Sequence, residues 1–390
     1  MPARRELHTG RYNFLHREWG PLEPFDDSMP ELLKKAGIYT HLISDHLHYW
    51  EDGGGNYHNR YSSWDVVRGQ EGDHWKASVG EPPIPEVLRI PQKQTEAVFP
   101  GCGVKTGQIA NIFSRKPIFL RQKFLTPGAI LSIKIMPKII GYCRLRRSIR
   151  MNRFIPPRNI YRSMTMSGKA HTMTGRVAKS VKVRRRLRIF AVVIGPWFPC
   201  ATRNLGRILD LMDERNLWRD TMLIVGTDHG FLLGEHGWWA KNQMPYYNEV
   251  ANSPLFIWDP RSAVCGARRQ SLVQMIDWAP TLLDYFQQPI PADVQGQALA
   301  KVIASNESVR EGALFGVFSG HVNVTDGRYV YMRAAQPGRE HDIANYTLMP
   351  IKMNARYDVD ELGKLSLAPP FNFTKGLQVL RIPPGKNIKV

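Results

Sequence analysis

At 390 residues, with 43% of them apolar, the chain can bury one large α/β core or a large core plus a small one. It has no apolar run of the roughly 18 residues needed to cross a bilayer, and its four cysteines show no CxxC spacing. A membrane-spanning protein, a zinc ribbon and a disulfide framework are therefore excluded as expectations. The formal charge of +19 would suit a polyanionic partner, but it is concentrated in one place. Between Glu96 and Asp210 there is no acidic residue, and Val104 to Arg203 hold 23 of the 53 Lys plus Arg. The rest of the chain carries 30 basic residues against 34 acidic ones, an ordinary balance.

Met1 to Arg11 are polar and basic without an apolar stretch. No signal peptide is read there, which favours a cytoplasmic location. Ser28, with Glu31 three residues on, reads as a capping box opening a helix through Leu32 and Leu33 that stops at Gly37. A strand follows over Ile38 to Ser44 and ends at Asp45-His46-Leu47-His48; Gly53 to Gly55 read as loop. From about Val104 to Arg203 basic residues interrupt every apolar run and no periodic pattern persists. Helical spacing returns with Leu205, Ile208, Leu209 and Met212 and ends at Arg215-Asn216. Met222 to Val225 form a buried-type strand with Asp228, His229 and Gly230 just beyond its carboxyl end, where ligands collect in open α/β sheets. A second helix is expected over Leu272 to Phe286, and Asp326-Gly327 marks a hairpin between Val322 and Met332 in a small β-rich C-terminal module.

The richest stretch is Thr227 to Lys241, TDHGFLLGEHGWWAK. Asp228 and His229 offer an oxygen and a nitrogen donor side by side, a pair suited to a hard or borderline divalent cation. Gly230 and Gly234 permit close backbone approach, while His236 and Lys241 supply donors for an anion. Trp238, Trp239, Tyr246 and Tyr247 read as core or pocket wall.

With this spacing the chain resembles the sulfatase family of the alkaline-phosphatase-like superfamily. The likeness looks closest to bacterial arylsulfatases and phosphonate monoester hydrolases. It extends to Asn248-Glu249-Val250, to Pro254-Leu255-Phe256-Ile257, to the Asp277, Pro280, Thr281 helix and to Met1 through about Pro100. Family members carry Cys-x-Pro-x-Arg followed by Thr-Gly-Arg; Pro2, Arg4, Thr9, Gly10 and Arg11 match, so the cysteine converted to formylglycine would stand just before Met1. The resemblance implies an α/β fold with a mixed sheet sandwiched by helices and a smaller C-terminal antiparallel sheet. It implies one divalent ion, calcium first and manganese as the alternative, with Asp228 and His229 among its ligands. It implies that Lys241, with His46 and His48, binds the ester anion, and that Arg4, His236 and Lys241 serve the chemistry. His236 is read as a second-shell donor or proton shuttle beside Lys241. The sequence has Asp-His-Leu-His at 45–48 where the family commonly has Gly-Lys-x-His, and Asp-His rather than Asp-Asn at the metal, which leans toward phosphonate or phosphate monoesters as the alternative substrate class.

The basic block does not fit the resemblance. Back-translation of Met136 to Phe154 with a two-nucleotide skip permits a stop-free string containing Asp-Pro-His-Glu-Pro, a family anion-site motif, so the block reads as a shifted frame. A nucleic-acid-binding arm is the competing reading from another class, but Phe113, Phe119, Phe124, Tyr142, Phe154 and Tyr161 show no stacking-module pattern. The resulting expectations are a catalytic-domain part over 1–100 lacking its first strand, the anomalous block over 104–203 with no native-like structure, a second catalytic part over 204–300, and a β-rich module over 301–390. The expected partner is a small sulfated or phosphonate ester, with no nucleic acid and no membrane. The expected activity is sulfuric ester hydrolysis by family, absent from the chain as translated because its nucleophile is missing.

Overall fold

A computed structural model describes residues 2–51, 55–68, 131–134, 175–176, 197–233, 235–241, 245–339, 342–352 and 355–383. Most of the basic block, including the stretch read as a shifted frame, and the Gly53-Gly54 pair lie outside the described residues.

The N-terminal segment opens with helix α1 (Pro2–Thr9) and continues to α2 (Met29–Lys35). Ser28 occupies the N-cap position of α2, yet its side chain makes no cap hydrogen bond; its Oγ lies 2.8 Å from His8 Nδ1 on α1. The expected capping box is thus replaced by a helix-to-helix contact, and Glu31 faces Lys35 and Arg60. The stop at Gly37 is as read: its φ is +81°, and the Gly37 and Ile38 amides donate to the carbonyls of Lys34 and Leu33, closing the helix end. Strand β1 is shorter than expected, His41–Ser44, and pairs in parallel with β2 (Ser63–Val66).

The central sheet explains the placement of the Thr227 to Lys241 stretch. Strand β5 (Leu223–Gly226) lies between β3 (Leu131–Lys134), parallel to it, and β8 (Leu255–Trp258), antiparallel to it. A four-residue strand from inside the basic block therefore pairs with the best-formed strand, although the block's sequence shows no lasting pattern. Alternation along the strand splits the core. Met222 and Ile224 pack with Met29 and Leu33 of α2 and with Trp278, Leu282 and Leu283 of α5 (Trp278–Tyr285). Leu223 and Val225 face the other way, onto Met212, Leu205 and Leu209 of α3 (Trp197–Glu214). Helices on both faces of a mixed sheet are the architecture expected from the sequence. Each fully buried large side chain contributes about 1.5–3 kcal/mol. Helix α3 starts at Trp197, eight residues before the first periodic position and inside the block.

The remaining elements are short: β4 (Gly175–Arg176), β6 (Leu232–Leu233), β7 (Trp238–Ala240), α4 (Asn248–Ala251) and α6 (Ala300–Ser305). The C-terminal part holds two three-stranded antiparallel sheets. One is ordered β11-β10-β9, from β9 (Ala313–Gly316), β10 (Val322–Thr325) and β11 (Val330–Arg333). The other is β12-β16-β15, from β12 (Asn345–Thr347), β15 (Ser366–Ala368) and β16 (Val379–Ile382). The hairpin read at Asp326-Gly327 is present; Gly327 has φ +92°, and Asp326 accepts from the amides of Arg328 and Tyr329.

Buried polar bonds tie the two ends of the chain together. Glu23 accepts from Thr347 Oγ1 at 2.6 Å and from the Leu348 amide at 3.0 Å, and it is paired with Arg17. The Tyr346 amide donates to the His16 carbonyl. His16 stacks on Phe373 at 4.1 Å, and burial among Arg11, Arg5 and Arg17 pulls its pKa down to about 3.

Candidate metal and anion site

The chain leaves β5 through Gly226, where an added Cβ would lie 2.8 Å from the Trp278 ring, and two residues later reaches Asp228. The His229 ring is fixed at one nitrogen: Nδ1 lies 2.9 Å from the carbonyl oxygen of Gly230, so Nδ1 carries the proton and donates it. The lone pair is then on Nε2. That atom is 3.7 Å from Asp228 Oδ1 and accepts from the Lys241 ammonium at 2.9 Å. Both side chains are part-buried, at 23% exposed for His229 and 11% for Asp228. An acceptor oxygen, an acceptor nitrogen and an ammonium thus converge at the carboxyl end of the central strand.

This geometry suits a divalent ion. Two donors 3.7 Å apart can both reach one ion at ligand distances of about 2.0–2.6 Å. A backbone carbonyl on the far nitrogen is the usual way a metal-binding imidazole is oriented. Among the described residues no group of three or more His, Cys, Asp or Glu is arranged to hold an ion, so this pair could by itself supply only part of a shell. The Lys241 ammonium takes the same lone pair that an ion would take.

Gly230 is required by what lies behind it. Its amide donates to the Val250 carbonyl at 2.8 Å, and a Cβ there would stand 1.8 Å from the Glu249 carbonyl oxygen. The loop therefore rests directly on the backbone of α4.

His236 makes its contacts with the segment that leads into and opens α4. Its Nε2 lies 3.1 Å from both carboxylate oxygens of Glu249, and its ring stacks on Tyr247 at 3.9 Å with a 14° tilt. Arg4, His46 and His48 gather around Tyr49. Arg4 donates to the Tyr49 hydroxyl at 3.0 Å, His46 is 5.1 Å from the Tyr49 ring and 4.7 Å from His48, and His48 Nδ1 is paired with Glu51. Burial raises the Tyr49 phenol, so it stays protonated while it accepts from Arg4.

The structure therefore forms one cluster from Asp228, His229 and Lys241, and another from Arg4, His46 and His48. Tyr49, Tyr247 and Glu249 were not singled out by sequence reasoning for these contacts. Glu249 lies 13 residues from His236 and Tyr49 lies 45 from Arg4, so no local spacing signals either pairing. Asp277, part of the family-like helix motif, is structural here: it is fully buried, accepts from the Gln274 and Gln297 amides, and pairs with Arg310 through both oxygens.

Residues 234–363 match the family described as N-sulphoglucosamine sulphohydrolase, C-terminal. The chain is 35% identical over 100 residues to an N-acetylglucosamine-6-O-sulfatase of Bacteroides thetaiotaomicron, covering 26% of this chain and 18% of that one. It is 31% identical over 129 residues to an arylsulfatase of Clostridium perfringens, covering 31% of this chain and 26% of the other. A solved structure in complex with its substrate D-glucosamine-2-N,6-O-disulfate superposes with a TM-score of 0.51 at 16% identity, over 86% of this chain and 79% of that one. The fold is thus alkaline-phosphatase-like. The sequence matches are to sulfatases, each over a third of this chain or less. It spans 18% to 26% of the length of these two curated relatives.

Proposed function

We propose that Asp228, His229 and Lys241 form the metal and sulfate end of a sulfuric ester hydrolase site. The observation that supports this reading is the convergence of Asp228 Oδ1, His229 Nε2 and Lys241 Nζ at the end of β5. Asp228 and His229 would hold a divalent ion, calcium or manganese, and that ion when bound would neutralise sulfate oxygens and orient the nucleophile. Lys241 provides a fixed positive charge for the ester anion, preorganised so that little reorganisation is needed as charge develops. Arg4, one turn into α1 and fixed by Tyr49, supports the end of the helix next to which the family places its formylglycine. The relatives' names point to a sulfated amino sugar as substrate class.

The test is calorimetric titration of the chain with Mn²⁺ and with Ca²⁺, in the presence and absence of sulfate, beside Asp228→Ala and Lys241→Ala. The expected result is ion binding lost in the first variant and sulfate dependence lost in the second. Ion binding unchanged by Asp228→Ala would overturn the site.

A further inference from the structure

We infer that Glu249 and Tyr247 are positioning residues that clamp His236 and thereby hold Lys241 against His229. The inference rests on the functional reading of the Asp228, His229, Lys241 cluster and adds to it what fixes the lysine.

Lys241 and His229 stand at the two ends of a hairpin. β6 follows Gly230 after one residue, β7 precedes Lys241 directly, and the two pair antiparallel with Leu232 opposite Ala240 and Leu233 opposite Trp239. The chain reverses at His236 and Gly237, whose φ values of +54° and +73° are both left-handed. Glycine adopts that conformation freely, but a β-carbon-bearing histidine does so at a cost and persists there only where its surroundings hold it. The holding groups are on the page. Glu249 offers both carboxylate oxygens to His236 Nε2, and Tyr247 covers the face of the ring.

The same short segment also grips the other end of the hairpin. Val250 takes the Gly230 amide, and the Glu249 carbonyl oxygen occupies the space a Gly230 side chain would need. Residues 247–250 therefore fix the turn and the start of the hairpin together. With both ends clamped, the register of β6 on β7 sets the 2.9 Å contact between Lys241 and His229. Without the clamp the turn relaxes and the ammonium leaves the imidazole.

Trace acetylation of the full chain, read lysine by lysine by mass spectrometry, measures that contact without ligand or turnover. Lys35, 69% exposed, gives the unhindered rate, and Lys375, paired with Asp27 at 2.7 Å, reports an intact fold. Three variants are compared with the parent. Glu249→Ala should raise the Lys241 rate about threefold, the weight of one solvent-exposed ion pair, with Lys35 and Lys375 unchanged. Glu249→Gln, which keeps one acceptor oxygen, should fall between the parent and Glu249→Ala. His229→Ala should also raise the Lys241 rate, since it removes the acceptor. If His229→Ala raises the rate and neither Glu249 variant does, the clamp is refuted while the site reading stands. If His229→Ala leaves the rate unchanged, the site reading itself fails, and the clamp with it. Should Glu249→Ala speed Lys375 as well, the fold has loosened and Glu249→Gln decides: a parent-like Lys241 rate there overturns the inference.

Discussion

Replacing Lys241 by methionine removes a charge while keeping the length of the side chain, and it should move ion and anion binding in opposite directions. In the resting structure the ammonium donates to the nitrogen that an ion would use. Ion binding must break that hydrogen bond, worth about 1 kcal/mol, and must bring two positive charges close together. A unit charge repels a divalent one at roughly 4 Å by about 2 kcal/mol at the dielectric of water, and by more where the site is part-buried. Together these give about 3 kcal/mol, on the order of a hundredfold tighter Mn²⁺ binding by Lys241→Met in sulfate-free buffer. With sulfate present the ordering changes, because the parent binds ion and anion cooperatively through the ammonium and the variant cannot. The assay is isothermal calorimetry at one fixed ionic strength, with chloride as the control anion. Mn²⁺ affinity in sulfate-free buffer that is equal or weaker in Lys241→Met would refute the shared lone pair as the organising feature of the site.

Three further outcomes follow from particular contacts. Burial raises the Glu6 carboxyl from 4.5 to about 7, so the folded state binds this proton more tightly than the unfolded chain. Stability from this group is then full below about pH 4.5 and is lost as pH rises through about 7; Glu6→Gln should add about 3 kcal/mol at pH 8 and nothing at pH 4, read by urea melts at both. Asp277→Ala leaves the Arg310 guanidinium, 10% exposed, without its carboxylate and should cost about 3–5 kcal/mol; a loss under about 1 kcal/mol in denaturant titration would contradict the structural role given to Asp277. Gly37→Ala and Gly230→Ala should fail in different ways. The first meets nothing within 4 Å and has only its φ of +81° to overcome, about 1–2 kcal/mol in melting. The second drives a Cβ into the Glu249 carbonyl, so it should also raise Lys241 reactivity, which Gly37→Ala should leave alone.

What the sequence shows of this fold is what local chemistry decides. Gly37 ends α2 because a left-handed position follows the last helical turn, and Asp326-Gly327 turns a hairpin for the same kind of reason. The run Met222 to Val225 is legible as a strand because both its faces are covered by helices, which demands an unbroken apolar string. The TDHG segment then lands at the carboxyl end of that strand, while the approach of Lys241 to His229 depends on the β6–β7 pairing that the fold supplies. Long-range partners are not legible. Ser28 has the composition of a cap but bonds His8, 20 residues away, because the buried imidazole needs a partner more than the helix end does. His236 reads from the sequence as a donor beside Lys241, and nothing local announces that the fold also brings Glu249 and Tyr247 to it. Pairing of Leu131–Lys134 with β5 could not be read either, since four residues amid basic ones carry no periodicity.

The bonds between Glu23 and Thr347 join positions 324 residues apart. A chain emerging from the ribosome at about 5–20 residues per second holds the Arg17 and Glu23 region ready for roughly 15–65 s before its partner strand exists. During that time a buried-type carboxylate and guanidinium stay in water, and the segment next to α1 cannot settle. The Arg17 and Glu23 segment, made well before residue 347, is thus among the later parts of the described chain to reach its final environment. Folding of the Arg4 helix should accordingly be slow, cooperative with β12 and sensitive to any change that delays or removes that strand.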